Sequence, residues 1–176
     1  MDIKRHRFEG VNFEKARHVG GVINPTILVF HDTASRLTPL AAMRYLKNPG
    51  GSKVSVQLTV ERDGTITQMA NLNCRCNHTG RSKYNGRKFC NGFSIGVEVV
   101  TPGIMKAAGP GKSRTWFGQI FDDEEYGIQE ITTKEHGRGK WMPYPEEQIK
   151  ACMEIAQAVV TYNDQKDVVT HWYIKP

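Results

Sequence analysis

Two spacings of apolar residues alternate along this chain. Residues 26–30, Thr-Ile-Leu-Val-Phe, form a short uninterrupted apolar run, the mark of a strand covered on both faces. Residues 54–60 and 93–100 alternate instead. In the second, Phe93, Ile95, Val97 and Val99 share one face, and Ser94, Gly96 and Glu98 share the other. Arg62-Asp63-Gly64 reads as a turn that folds 65–68 back on 54–60 as a hairpin. Helical spacing shows at two places. Thr38 as cap and Pro39 as first helical residue predict a helix to Lys47, stopped by Asn48-Pro49-Gly50-Gly51. Glu146 and Glu147 open a longer one, with Ile149, Cys152, Met153, Ile155, Ala156, Val159 and Val160 as its apolar stripe and Asn163-Asp164 as its end. Residues 101–140 are polar and without clear period, a long loop with scattered aromatics. Residues 1–24 have weak periodicity and read as a lead-in segment; 25–176 read as one domain. The predicted fold class is α/β, a central mixed β-sheet flanked by helices.

Composition narrows the setting without naming a role. At 176 residues, 39% hydrophobic and 24% charged, the chain suits a single globular domain. It has no apolar run of about 18 residues, so no membrane span is expected, and no apolar segment follows the basic first residues as a secretory signal requires. Synthesis in the cytoplasm is the expectation. The net charge of +6 favours anionic partners, but no nucleic-acid-binding motif accompanies it. Four cysteines without a secretory signal read as reduced thiols; Cys74-Arg75-Cys76 as a zinc-binding pair is the weaker alternative.

Glu98 is the most informative residue, because a carboxylate inside an apolar strand must meet a cation or carry a raised pKa suited to proton transfer. A structural ion pair with a buried arginine is the competing explanation. Two histidines end short β-like segments: His31 after Ile27-Leu28-Val29-Phe30, and His171 after Asp167-Val168-Val169-Thr170. Neutral imidazoles are good zinc ligands, and a catalytic zinc keeps about three protein ligands and one open position. His6, His18 and His136 lie outside this pattern and read as exposed.

With residues 77–99 (Asn77-His78-Thr79-Gly80 through Cys90-Asn91-Gly92-Phe93-Ser94-Ile95-Gly96-Val97-Glu98), with 27–35, 54–64 and 141–148, and with His171-Trp172-Tyr173-Ile174-Lys175-Pro176, the chain resembles the zinc-dependent N-acetylmuramoyl-L-alanine amidases. That class includes muropeptide-recycling amidases, phage endolysins and peptidoglycan-recognition proteins. The resemblance implies their fold and hydrolysis of the amide between the muramoyl lactyl group and L-alanine. It implies Zn2+ held by His31 and His171, Glu98 as catalytic acid–base, and His78, Asn91, Ser94 and Tyr84 toward the substrate; Asn91, Ser94 and Tyr84 could equally order the local backbone. Asn77 replaces the family's tryptophan, and Gln57 stands where relatives often carry histidine. The family motif continues past the proline with a lysine and a third zinc ligand, which here would follow Pro176. The partners implied are peptidoglycan or a muropeptide, with no specific nucleic acid. A lytic enzyme would reach the wall through a holin or lysis. The alternative is a muropeptide-binding module with an incomplete zinc site.

Overall fold

The computed structural model describes residues 1–163 and 167–175. In chain order its elements begin with β1 (Ile3–Lys4), β2 (Arg7–Phe8), β3 (Asn12–Phe13), β4 (Ile27–Asp32), α1 (Ala41–Lys47), β5 (Leu58–Val60) and β6 (Ile66–Gln68). There follow β7 (Lys83–Tyr84), β8 (Arg87–Lys88), a 3-10 turn at Cys90–Gly92, β9 (Ser94–Val99), β10 (Lys106–Ala107), β11 (Lys112–Arg114) and β12 (Ile120–Asp122). The chain closes with β13 (Gln129–Thr133), β14 (Gly137–Trp141), α2 (Glu146–Asn163), β15 (Asp167–Thr170) and α3 (His171–Ile174). Six strands form the central sheet in the order β15-β4-β9-β5-β6-β3. β15, β4, β9 and β5 run parallel, while β6 pairs antiparallel with β5, so the sheet is mixed as the sequence predicts.

The apolar side of β9 faces α2. Ile95, Val97 and Val99 pack with Leu28, Leu58 and Val60 against Ala151, Ile155 and Val159 of the helix. Residues four apart fall on one helical stripe, and that places Ala151, Ile155 and Val159 in line. The predicted stripe differs at its edges. Ile149 and Met153 are 47% and 67% exposed, whereas Gln148 is fully buried and donates from Nε2 to the carbonyls of Val60 and Val100, tying the helix to two strand ends. Phe93 also departs from the alternation. It precedes the first residue of β9 and packs with Ile27, Val29, Cys90 and Ile174 on the other side of the sheet.

Three further expectations change. Thr38 does not cap α1: Leu40 holds the cap position at φ 59 with no side-chain cap bond, and the Thr38 carbonyl accepts from Ala41 N–H in a preceding turn. The hairpin is shorter than residues 54–68, because ladder pairing starts only at Leu58, and the Gln57 side chain supplies the acceptor for Gly96 N–H. Residues 101–140 are not a loop. They form the three-stranded sheet β10-β11-β12 and the β13-β14 hairpin around a small core of Met105, Phe121, Ile128 and Met142. Residues 1–24 add β3 to the central sheet and bury Phe8 and Ala16. Asp164, expected to end α2, lies outside the described residues.

Candidate active site

β4 and β9 lie side by side in parallel register, with His31 opposite Glu98 and Val29 opposite Gly96. Paired residues of neighbouring strands point to the same face, so His31, Glu98, Gly96 and Ser94 share the side away from α2. His31 lies within the strand, which runs one residue further to Asp32. The strand register alone therefore places one candidate ligand next to the candidate acid–base.

The space left by Gly96 is filled. A Cβ built there would lie 2.5 Å from His78 Nδ1, so the His78 imidazole lies directly on the glycine backbone. His78 is buried and stands beside His31, with Nδ1 2.8 Å from His31 Nε2. Three imidazoles meet here, the His31 and His171 ring centroids being 4.6 Å apart and those of His31 and His78 4.9 Å apart.

The hydrogen bonds assign the tautomers. Ser94 Oγ donates its only hydrogen to the Cys90 carbonyl at 2.7 Å, so the 3.1 Å contact with His78 Nε2 requires an N–H on that nitrogen. Neutral His78 then has a bare Nδ1, which accepts from His31 Nε2–H and leaves a free lone pair on His31 Nδ1. His171 Nε2 lies 3.3 Å from the Thr79 carbonyl, which can only accept, so His171 too keeps its lone pair on Nδ1. Burial holds all three rings neutral: His31 falls well below the usual histidine range and His171 is lowered, both through desolvation, and His78 is pushed down to about 3 by burial and then by His171.

Glu98 is pushed up to about 8, first by burial and then by Asp32. No cation pairs with it among the described residues, and so the structural ion pair with arginine finds no support. Its register partner on the far side, Thr59, has a buried hydroxyl without a partner. This side of the sheet end is thus poor in compensation for charge, and a carboxyl there holds a proton into the neutral range.

The remaining predicted residues fall into two groups. Asn91 Oδ1 accepts from His78 N–H, Thr79 N–H and Thr79 Oγ1–H at 3.0, 2.9 and 2.9 Å. Asn91 and Ser94 therefore hold the segment that carries His78 and Thr79, and His78 itself supports His31. Tyr84 stands apart, half-buried beside Tyr173 with ring centroids 6.1 Å apart and with Asp167 raising its pKa after burial. His6, His18 and His136 are half-buried and not exposed as expected; His136 meets the edge of Trp172 at 3.9 Å. Two contributors escaped the sequence reading. Thr79 meets His171 through its carbonyl, which any residue carries. Asp32 follows directly after His31, on the α2 side of the strand, where a cavity of about 940 Å³ opens between α2, the β13-β14 hairpin and Trp172.

The donor set fits half of a zinc site. His31 and His171 present neutral imidazoles with free nitrogens in one place, but no group of three or more His, Cys, Asp and Glu able to hold a metal occurs among the described residues. The Cys74/Cys76 alternative loses ground, because burial pushes the Cys76 thiol up to about 12 and the thiolate is the ligand.

Comparison with known proteins bears on the family and the fold. The family described as N-acetylmuramoyl-L-alanine amidase matches residues 22–175. Among curated proteins, the 1,6-anhydro-N-acetylmuramyl-L-alanine amidase AmpD of Haemophilus influenzae is 47% identical over 47 residues, 27% of this chain and 26% of that protein. The aligned stretch thus spans about a quarter of the relative. Among solved structures, a selenomethionine AmpD superposes with a TM-score of 0.65 at 20% identity, covering 100% of this chain and 89% of the other. The Escherichia coli N-acetylmuramyl-L-alanine amidase AmiD, solved with anhydro-N-acetylmuramic acid-L-Ala-D-gamma-Glu-L-Lys as substrate, superposes with a TM-score of 0.58 at 20% identity over 88% of this chain and 51% of that one. These likenesses establish the fold.

Proposed function

Since the chain belongs to the N-acetylmuramoyl-L-alanine amidase family, we propose that it hydrolyses the amide joining the muramoyl lactyl group to L-alanine in peptidoglycan or muropeptides, in a lytic or a recycling setting. The observation that carries this reading is the register that sets Glu98 beside His31, with the His171 ring centroid 4.6 Å from that of His31. A zinc ion held by His31 Nδ1 and His171 Nδ1 would supply Lewis-acid polarisation of the scissile carbonyl. Glu98 takes the proton of the attacking water and returns it to the leaving amine, a role suited to a carboxyl whose proton affinity lies near neutrality. Ser94 and His78 fix which nitrogen His31 offers. Asn91 fixes the backbone that carries His78.

A muropeptide-binding module is the second reading, favoured by the absence of a three-ligand cluster among the described residues. Zinc content and release of L-alanyl peptides from purified peptidoglycan separate the two. Amidase activity requires cleavage by the native chain, and retained zinc with no cleavage in Glu98→Ala. Binding of muropeptide without zinc or cleavage would leave the module. No helix among the described residues is long and apolar enough to cross a membrane, and arrival at the wall through a holin or lysis belongs to the same proposal.

A further inference from the structure

Folding of residues 101–140 brings two aromatic rings to the loop that follows the His31 strand. Trp116 and Phe117 sit at the tip between β11 and β12, in a turn closed by Thr115 N–H to the Gln119 carbonyl at 2.9 Å, with Gly118 at φ 87. Trp116 is 77% exposed, yet its indole N–H donates to the Ala34 carbonyl at 2.7 Å. The polar atom of the ring is spent on the protein, and what remains outward is an apolar face. Phe117 stands perpendicular to it, centroids 5.5 Å apart and planes at 89°, with the Arg36 guanidinium 5.2 Å from the Phe117 centroid. The result is an aromatic corner with hydrogen-bond donors along one side.

This corner is mounted on the active-site strand. Ala34 lies three residues after His31, no more than about 11 Å away along the chain. The intervening loop is clamped to the end of β9: Thr33 N–H donates to the Val99 carbonyl, Ser35 N–H donates to the Thr101 carbonyl, and Thr33 Oγ1 accepts from Thr101 N–H. Gly103, at φ 72, packs so closely on Ala34 that a Cβ there would meet Ala34 Cβ at 2.7 Å. The indole nitrogen of the exposed ring is thus held at most about 16 Å from the His31 backbone.

We propose that Trp116, Phe117 and Arg36 form a saccharide subsite that stacks an N-acetylated sugar of the glycan strand next to the muramoyl unit being cut, which makes polymeric peptidoglycan the preferred substrate over single muropeptides. The inference rests on the amidase reading given above. An aromatic face takes the C–H face of a sugar ring, and the guanidinium fork takes its hydroxyl and acetamido oxygens. Thr115, Trp116, Phe117 and Gly118 carry no charge themselves, so the tip offers an aromatic surface flanked by Arg36 and, in sequence, by Arg114.

The test is titration of the whole chain with N-acetylglucosamine tetramer, followed by tryptophan fluorescence and calorimetry, alongside kcat/KM on insoluble peptidoglycan and on a monomeric muropeptide. Trp116→Ala is expected to weaken tetramer binding and to lower the polymer-to-monomer activity ratio about three- to tenfold, the size of one aromatic contact, through KM. Trp116→Phe, which keeps a ring and loses the anchor to Ala34, is expected to fall between. Tetramer binding that survives both substitutions, or an unchanged ratio, overturns the subsite. Binding that ignores Trp116 and collapses with salt assigns the surface to an anionic polymer and overturns it equally. Glu98→Gln separates this from the amidase reading: if that variant still cuts, the mechanism fails while tetramer binding decides the subsite independently.

Discussion

The two sides of the central sheet are built from the same strands and put to opposite uses. Toward α2, Leu28, Leu58, Val60, Ile95 and Val97 are fully buried among aliphatic neighbours, and every contact there adds stability. Away from α2, the positions between them along β9 are serine, glycine and glutamate, and they face three histidines. A single alternation of residues writes both. Beyond the cluster of Ile27, Val29, Phe93 and Ile174, the end of the second side gives up packing to hold neutral imidazoles and a carboxyl in place, so the pleat of one strand separates the aliphatic core from the candidate site.

Substitutions on either side sharpen this contrast. Leu58→Ala on the α2 side is expected to lower unfolding free energy by about 3 kcal/mol in denaturant titration while activity per folded molecule holds. Loss of activity in its folded fraction would show that the two sides are coupled. Gly96→Ala, one residue from Val97, introduces a methyl where His78 lies. The His78 ring is anchored through Nε2 to Ser94, so an expected cost of about 2 kcal/mol is accompanied by a fall in zinc affinity of about 10- to 100-fold by metal titration. Unchanged zinc affinity would detach His78 from His31.

Glu98→Gln has the opposite sign. The folded state holds the Glu98 proton up to about pH 8, against about 4.5 for the free side chain, so its stabilising protonation is complete below pH 4.5 and is lost as pH rises toward 8. In metal-free protein the variant is expected to match the native chain at pH 4 and to exceed it at pH 8 by up to about 4 kcal/mol, while cleavage disappears. Parallel pH–stability curves for the two would refute the raised pKa. Met153→Gln is the smallest change. Read as a core residue it would cost several kcal/mol, but at 67% exposure the expected shift is within about 0.5 kcal/mol by thermal melting.

Much of the site was legible because it depends on strand registers and short motifs. Alternation around Glu98 announced a carboxyl on the side opposite Ile95 and Val97, and His31 and His171 ended two apolar runs that proved to be neighbouring parallel strands. His78 and Asn91 were visible as motif residues, but their work was not. The sequence shows no sign that Gly96 is small in order to seat the His78 ring, nor that Asn91 gathers three donors from residues 78 and 79. Residues 101–140 misled for a related reason: strands of two to five residues with mostly exposed side chains leave no periodic trace.

By itself the sequence determined the alternation that divides β9 into two sides, the strong C-terminal helix, and the choice of Glu98, His31 and His171 as candidates, since these follow from side-chain direction, burial cost and strand-end position within single segments. Tertiary structure decided the rest. It set which helix residues are covered, burying Gln148 and leaving Met153 outside, and which histidine nitrogen is free. It also brought Trp116 to Ala34 across 82 positions of chain. Those outcomes depend on partners distant in sequence, and a hydrogen bond or a packed ring is specified only when both of its members are in place.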